Sequence, residues 1–166
     1  MAIKEMDFIE EDTMHGRYIT FRVDEQMYGI QIRYVTEIIG IQPVSQLPEM
    51  PDHVKGIINL RGKIIPVVDM RLKFKRPATE YTEKTCILVI DNDLICAGLI
   101  VDEVADVLTI RDEDISPTPN CGAGINCRYL EGIGKVGKEV KLLLDCEALF
   151  SSEETDQLAE ITKKKD

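Results

Sequence analysis

The chain is short of histidine, of aromatic residues and of basic charge, and each shortage closes off a class of function. Only His15 and His53 are present, so a histidine-dependent triad or metal cage has little to build on. Thirty acidic residues against twenty basic ones leave a formal charge of -10, a field that repels phosphate backbones and anionic lipid. Aromatics make up 5% of the residues, whereas an oligonucleotide-binding barrel needs stacking aromatics over a basic groove. No apolar run approaches the roughly 18 residues of a membrane helix, and MAIKEMDFIEED places acids where a secretory leader has bases. The expectation is a soluble, cytoplasmic protein with neither a nucleic-acid partner nor direct membrane insertion.

The five cysteines, Cys86, Cys96, Cys121, Cys127 and Cys146, are odd in number, and Cys86 and Cys96 sit in apolar runs as small hydrophobes do. They are read as reduced. Five residues separate Cys121 from Cys127, wider than zinc-site spacing, and no histidine follows; no metal and no cofactor is expected.

With 44% hydrophobic residues in 166 positions, the chain can bury one sizeable core, or two small ones sharing an interface. Residues 1–17 lack an apolar period and read as a flexible arm. Tyr18 to Val23 and Met27 to Ile32 form a predicted hairpin, and Val35, Ile38 and Ile39 share one side of a short helical or bent segment. Prolines 43, 48 and 51 enforce an extended connection. Val54 to Leu60 and Ile64 to Asp69 then flank Arg61, Gly62 and Lys63 as a second hairpin.

The order recurs. Thr85 to Ile90 and Leu94 to Val101 are apolar runs around a turn, followed by Val104 to Ile110, a loop, and a last hairpin from Leu130 to Leu144. The stretch Gly29 to Ile39 lies over Gly98 to Leu108 without a gap, an offset of 69 (98 minus 29). The stretch Val54 to Phe74 lies over Leu130 to Phe150, an offset of 76 (132 minus 56). The extra residues fall in a loop, where insertion costs little. This is a tandem duplication: a first repeat over about 18–74 and a second over about 85–150. Each copy has four or five short strands, enough to curl into a small barrel that hides its edges. The expected fold is all-β, two small barrels packed together, with strands possibly exchanged between them. A helical tail follows over 151–166, where Ser151 to Glu154 form a capping box and three lysines close the helix.

Among candidate motifs, Gly132-Ile133-Gly134-Lys135-Val136-Gly137-Lys138 satisfies the spacing of a phosphate loop, which makes nucleotide binding the alternative reading. Such a loop needs a following helix and a Ser or Thr for magnesium. Glu139 stands there instead, and the duplication sets Gly137-Lys138 over Arg61-Gly62 at a hairpin tip. Glu37 and Asp106 correspond between copies, which suggests a shared structural job such as a turn hydrogen bond. Asp69 and Asp145 correspond as turn or helix-start residues. Arg61 breaks the symmetry, and an arginine at a hairpin tip can fork onto a partner's carboxylate.

The stretches YGIQIRYVTEIIG and LPEMPDHVKGIINLRGKIIPVVDMRLKF carry V-x-E-I, K-G-x-x-N-L-R-G and I-P-V-V-D-x-R elements. Together with AGLIVDEVADVLTI and YLEGIGKVGKEVKLLLD, they resemble the CheW-like chemotaxis coupling family over 18–150. The resemblance implies two pseudo-symmetric five-stranded SH3-like or OB-like barrels with short helices. It also implies a non-enzymatic adaptor that joins the cytoplasmic hairpin tip of methyl-accepting chemoreceptors to the CheA-type regulatory domain of the chemotaxis histidine kinase, at receptor arrays on the inner face of the membrane. By motif it places Val35, Glu37, Ile38, Gly56, Asn59, Arg61 and Gly62 at or near partner-binding surfaces, with Val104 and Val107 helping to line a receptor groove between the barrels.

Overall fold

A computed structural model describes residues 16–92, 95–117 and 129–150. The expected N-terminal arm up to residue 15 with His15, the expected loop around Cys121 and Cys127 and the expected C-terminal helix lie outside the described residues. Among the described residues, eleven strands run in chain order: β1 (Arg17–Val23), β2 (Gln26–Gln31), β3 (Val35–Gly40), β4 (Val54–Leu60), β5 (Lys63–Asp69), β6 (Cys86–Asp91), β7 (Cys96–Val101), β8 (Glu103–Thr109), β9 (Ile115–Ser116), β10 (Leu130–Val136) and β11 (Glu139–Leu144). A four-residue helix, α1 (Met70–Lys73), follows β5, and single 3-10 turns precede β3 and β9.

The strands form two sheets, and each takes strands from both copies. One has the order β8-β1-β2-β11-β10-β9 and is here called the terminal barrel; the other, β3-β6-β7-β5-β4, is the middle barrel. The hairpin that opens each copy thus completes the barrel of the other. Register carries the duplication into three dimensions. Phe21 opposes Val104 as Ile90 opposes Val35, and the parallel seams set Gly29 against Leu143 and Gly98 against Val67. All four pairs obey the offsets of 69 and 76. Each curl is closed by the segment after its edge strand: Ser45 bridges Ile57 in the middle barrel, and Ser116 pairs with Ile133 in the terminal one. Closure of this kind covers backbone groups that an open sheet edge would expose.

Val35, Ile38 and Ile39 do not share a side of a helical or bent segment; Val35–Gly40 is a strand whose burial alternates, with Glu37 and Ile39 turned inward and Thr36 and Ile38 outward. A β-branched run beside the apolar β6 pairs as a ladder, so the operative period is two. The Arg61 turn is also tighter than expected, because Lys63 already belongs to β5.

The main core lies between the barrels and gathers Ile19, Phe21, Tyr28, Ile30, Met70, Phe74, Leu88, Ile90, Leu99 and Leu144, among others. An aromatic file, Phe21, Tyr28, Phe74 and Tyr129, has centroids 5.0–6.1 Å apart along it. Each such side chain contributes about 1.5–3 kcal/mol on full burial. Smaller cores fill the barrels, Ile58, Ile65, Val67, Ile87, Val89 and Ile100 in the middle one and Tyr18, Ile110 and Leu143 in the terminal one. Asp69 caps α1, its Oδ1 accepting from the Arg71 N–H at 2.9 Å; the corresponding Asp145 Oδ1 accepts from the Glu147 N–H at 2.9 Å. Both aspartates therefore start turns, as the duplication predicts.

Candidate functional site

The hairpin tip between β4 and β5 is built by a two-residue turn in which Arg61 has φ 53° and Gly62 φ 88°. Two left-handed central residues suit a type I′ hairpin, whose twist matches the flanking strands. Glycine enters that region freely, whereas a residue with a Cβ does so at a cost of about 1 kcal/mol. The Asn59 side chain braces the turn, its Oδ1 accepting from the Gly62 N–H at 2.8 Å. At the equivalent tip between β10 and β11, Gly137 holds the left-handed position with φ 62°. The second copy thus has the residue the backbone prefers, and the first has an arginine.

The Arg61 side chain is 71% exposed, and its Nη2 donates to Glu37 Oε2 on β3. That pairing raises the guanidinium pKa, chiefly through the hydrogen bond. Sequence reasoning offered Arg61 to a partner's carboxylate; the structure gives it one from its own chain, and so joins the tip to the strand edge. Between them lies an open depression of about 330 Å³ lined by Thr36, Glu37, Leu60, Arg61, Lys63, Ile65, Val89, Asp91 and Cys96. Its floor is apolar and its rim carries both signs of charge. Burial raises the Cys96 thiol pKa, so this wall of the depression is a neutral, weakly nucleophilic surface.

Glu37, Asn59, Arg61 and Gly62 therefore converge on one edge of the middle barrel. Ile38 and Val107 do not join them. They are pseudo-equivalent residues on the outer faces of β3 and β8, 46% and 42% exposed. Val35 and Val104, also equivalent, are half-buried and pack against the main core. Gly56 is buried with φ 147°, and a Cβ there would come within 2.0 Å of the Ser45 carbonyl oxygen. Its glycine is required by barrel closure.

Glu37 and Asp106 prove unlike. Both lie within strands rather than turns. Glu37 takes part in an ion pair, whereas the Asp106 backbone exchanges hydrogen bonds with Thr20 Oγ1 at 3.0 and 3.1 Å. The Gly132–Lys138 motif resolves into β10 and a hairpin tip, with Glu139 opening β11. The strand that follows cannot present the row of free N–H groups a phosphate loop takes from a helix. Among the described residues no cluster of His, Cys, Asp and Glu could hold a metal ion, and no helix is long and apolar enough to cross a membrane.

Sequence reasoning passed over Lys63, Thr36 and Asp91 around the depression. It also passed over the ion pair of Arg71 with Asp102, whose Nη2–Oδ2 distance is 2.7 Å. A signal for the pair was available: the gapless alignments set Asp102 over Arg33 and Arg71 over Glu147, both with reversed charge.

Comparisons with known proteins agree with this geometry. The model of the CheW-like domain matches residues 17–154. The chain is 36% identical over 152 residues to the chemotaxis protein CheW of Klebsiella aerogenes, covering 92% of each, and 36% identical over 149 residues to that of Treponema pallidum, covering 86% of each. Its fold matches the crystal structure of the scaffolding protein TtCheW from Thermoanaerobacter tengcongensis with a TM-score of 0.76 at 32% identity, over 82% of this chain and 92% of that one. Exchanged barrels, a bridged hairpin tip and family matches across nearly the whole described chain lead to one assignment: this chain belongs to the CheW-like domain family.

Proposed function

We propose that this chain is a chemotaxis adaptor that couples methyl-accepting chemoreceptors to the histidine kinase through contact geometry, without chemistry of its own. The receptor contribution is the cytoplasmic hairpin tip and the kinase contribution is its CheA-type regulatory domain, the assembly forming at the cytoplasmic face of the membrane. Residues 18–150 carry the activity, and it needs no cofactor. The observation that carries this reading is Arg61, held in a left-handed conformation where the second copy has glycine and aimed across the tip at Glu37. Backbone energy alone favours glycine there, so the side chain is kept for what it touches.

Around it, Glu37, Asn59 and Gly62 complete a polar edge, with Val35 and Ile38 on the adjoining strand and Gly56 holding the closure behind it. Val104 and Val107 supply the apolar wall of the receptor groove. A polar tip beside single exposed aliphatic residues suits a regulated contact rather than a permanent one.

The test is co-purification with a CheA-type kinase, followed by kinase autophosphorylation with and without receptor-containing membranes. The wild-type chain is expected to make kinase activity receptor-dependent. Arg61→Glu is expected to weaken capture of at least one partner about tenfold while leaving the melting transition within about 2 °C, since an exposed ion pair is worth under about 1 kcal/mol. Unaltered capture of both partners would remove Arg61 from the interface.

A further inference from the structure

The backbone passes between the barrels twice, from β2 to β3 at residues 32–34 and from β7 to β8 at residue 102. The crossings are pseudo-equivalent but differently held. At the second, the Asp102 carboxylate accepts Arg71 Nη2 at 2.7 Å and Arg71 Nε at 3.0 Å, a forked contact from α1 at the end of the middle barrel. From the terminal barrel, Asp102 Oδ2 also accepts the Asp24 N–H at 2.8 Å and Arg22 Nη1 at 3.4 Å, while the Asp102 N–H donates to the Arg22 carbonyl at 3.0 Å. Arg71 adds Asp24 Oδ1 at 3.5 Å and the Pro77 carbonyl at 3.1 Å. The Arg71 and Asp102 side chains are 15% and 11% exposed, so salt screens them little.

At the first crossing the counterparts are Arg33 and Glu147. Arg33 is exposed, its guanidinium 4.8 Å from the Tyr34 ring centroid and its Nη2 donating to the Tyr34 hydroxyl. Neither Arg33 nor Glu147 is in an ion pair among the described residues. Among the described residues, one crossing is bolted by forked, buried charge and the other is not.

We propose that Arg71 and Asp102 are positioning residues that fix the angle between the barrels and thereby the width of the receptor groove. Asp102 directly precedes β8, which bears Val104 and Val107, so its anchorage sets where that wall begins. The fork matters as much as the charge: a guanidinium holds both carboxylate oxygens in one plane, and an ammonium does not. The groove half of the proposal rests on the coupling function proposed above; the angle half does not.

The test uses the full-length, ¹⁵N-labelled chain, wild type and Arg71→Gln, with residual dipolar couplings of amides in both barrels. It adds titration with a soluble cytoplasmic chemoreceptor fragment and, separately, with the isolated kinase regulatory domain. In the wild type, couplings from both barrels fit one alignment tensor. In Arg71→Gln each barrel fits its own tensor, receptor affinity falls at least fivefold, and kinase-domain affinity changes less than twofold; Arg71→Lys falls between. If Arg71→Gln does not fold, Asp24→Asn loosens the outer leg of the network, the Asp24 carboxylate's contacts with Arg71 and Arg76, and is expected to shift the tensors in the same direction. One shared tensor in the variants, or split tensors with unchanged receptor affinity, overturns the proposal. A wild type that binds neither partner defeats the coupling reading, while the tensors still decide whether the bolt sets the angle.

Discussion

The two barrels share a register and differ in what fills them. The middle barrel is lined by Ile58, Ile65, Val67, Ile87, Val89 and Ile100. At the offsets of 69 and 76, the terminal barrel has Gly134, Lys141, Leu143, Tyr18, Thr20 and Gln31 in those places. Four aliphatic side chains have become a glycine, a lysine, a threonine and a glutamine. The space is recovered from another direction: a Cβ on Gly134 would meet the Ile110 side chain at 3.1 Å, so Ile110 occupies the room that Ile58 fills in the other barrel. Its own counterpart, Ile41, is 37% exposed. One backbone design thus admits two packing solutions, a plug from the sheet in one barrel and from the chain after β8 in the other.

The largest test of this exchange of plugs is truncation. Ile58→Ala and Ile110→Ala should each cost about 2–5 kcal/mol in urea unfolding, because each leaves a cavity in a small core. Ile41→Ala, the same deletion at the position equivalent to Ile110, should stay within about 0.5 kcal/mol. Equal losses at Ile41 and Ile110 would show that the plugging residue has been misidentified.

The duplication was legible from sequence because it lives in strand faces, strand glycines and turn aspartates, which short-range pattern exposes: Gly29 over Gly98, Asp69 over Asp145. The exchange of strands between barrels has no short-range signature, since pairing of β2 with β11 and of β5 with β7 is fixed by contacts far apart in the chain. The site was half legible. Arg61 stood out by breaking the repeat, but its pairing with Glu37 depends on β3 being a strand, which reading Val35, Ile38 and Ile39 as one face obscured. Gly56 followed from motif, while the physical demand on it, the approach of Ser45, comes from closure and leaves no mark on neighbouring residues.

A smaller effect separates the two parallel seams. At Gly98 an added Cβ would lie 2.6 Å from Ile87 Cγ2, a branch fixed at χ1 that cannot turn away. At Gly29 the same atom would lie 3.0 Å from Leu143 Cδ2, the end of a side chain that can. Gly98→Ala should therefore cost about 1–3 kcal/mol and Gly29→Ala under about 1 kcal/mol, read as a shift of the urea midpoint at constant slope. Reversal of that order would mean that the terminal barrel, despite its polar lining, is the tighter of the two.

The smallest expected effect concerns Lys141, which stands where the middle barrel has Ile65. Its stem is buried, and its Nζ donates to Glu139 Oε2 at 2.8 Å. That partner holds the exposed Glu139 carboxyl below its usual pKa, first through the hydrogen bond and then through charge. A depressed carboxyl pKa adds stability above the unfolded-state value of 4.5 and loses it as pH falls through the folded value. Lys141→Met gives the position an apolar side chain and removes that dependence. At pH 7 the variant should be neutral to about 1 kcal/mol more stable, because a desolvated ammonium costs roughly what its single contact returns. Its advantage should then grow as pH falls below about 4.5, where the wild type alone loses the pair. Parallel acid titrations of the two proteins that never diverge would show that the Lys141–Glu139 pair adds no stability to the terminal barrel, whatever the lysine's burial costs.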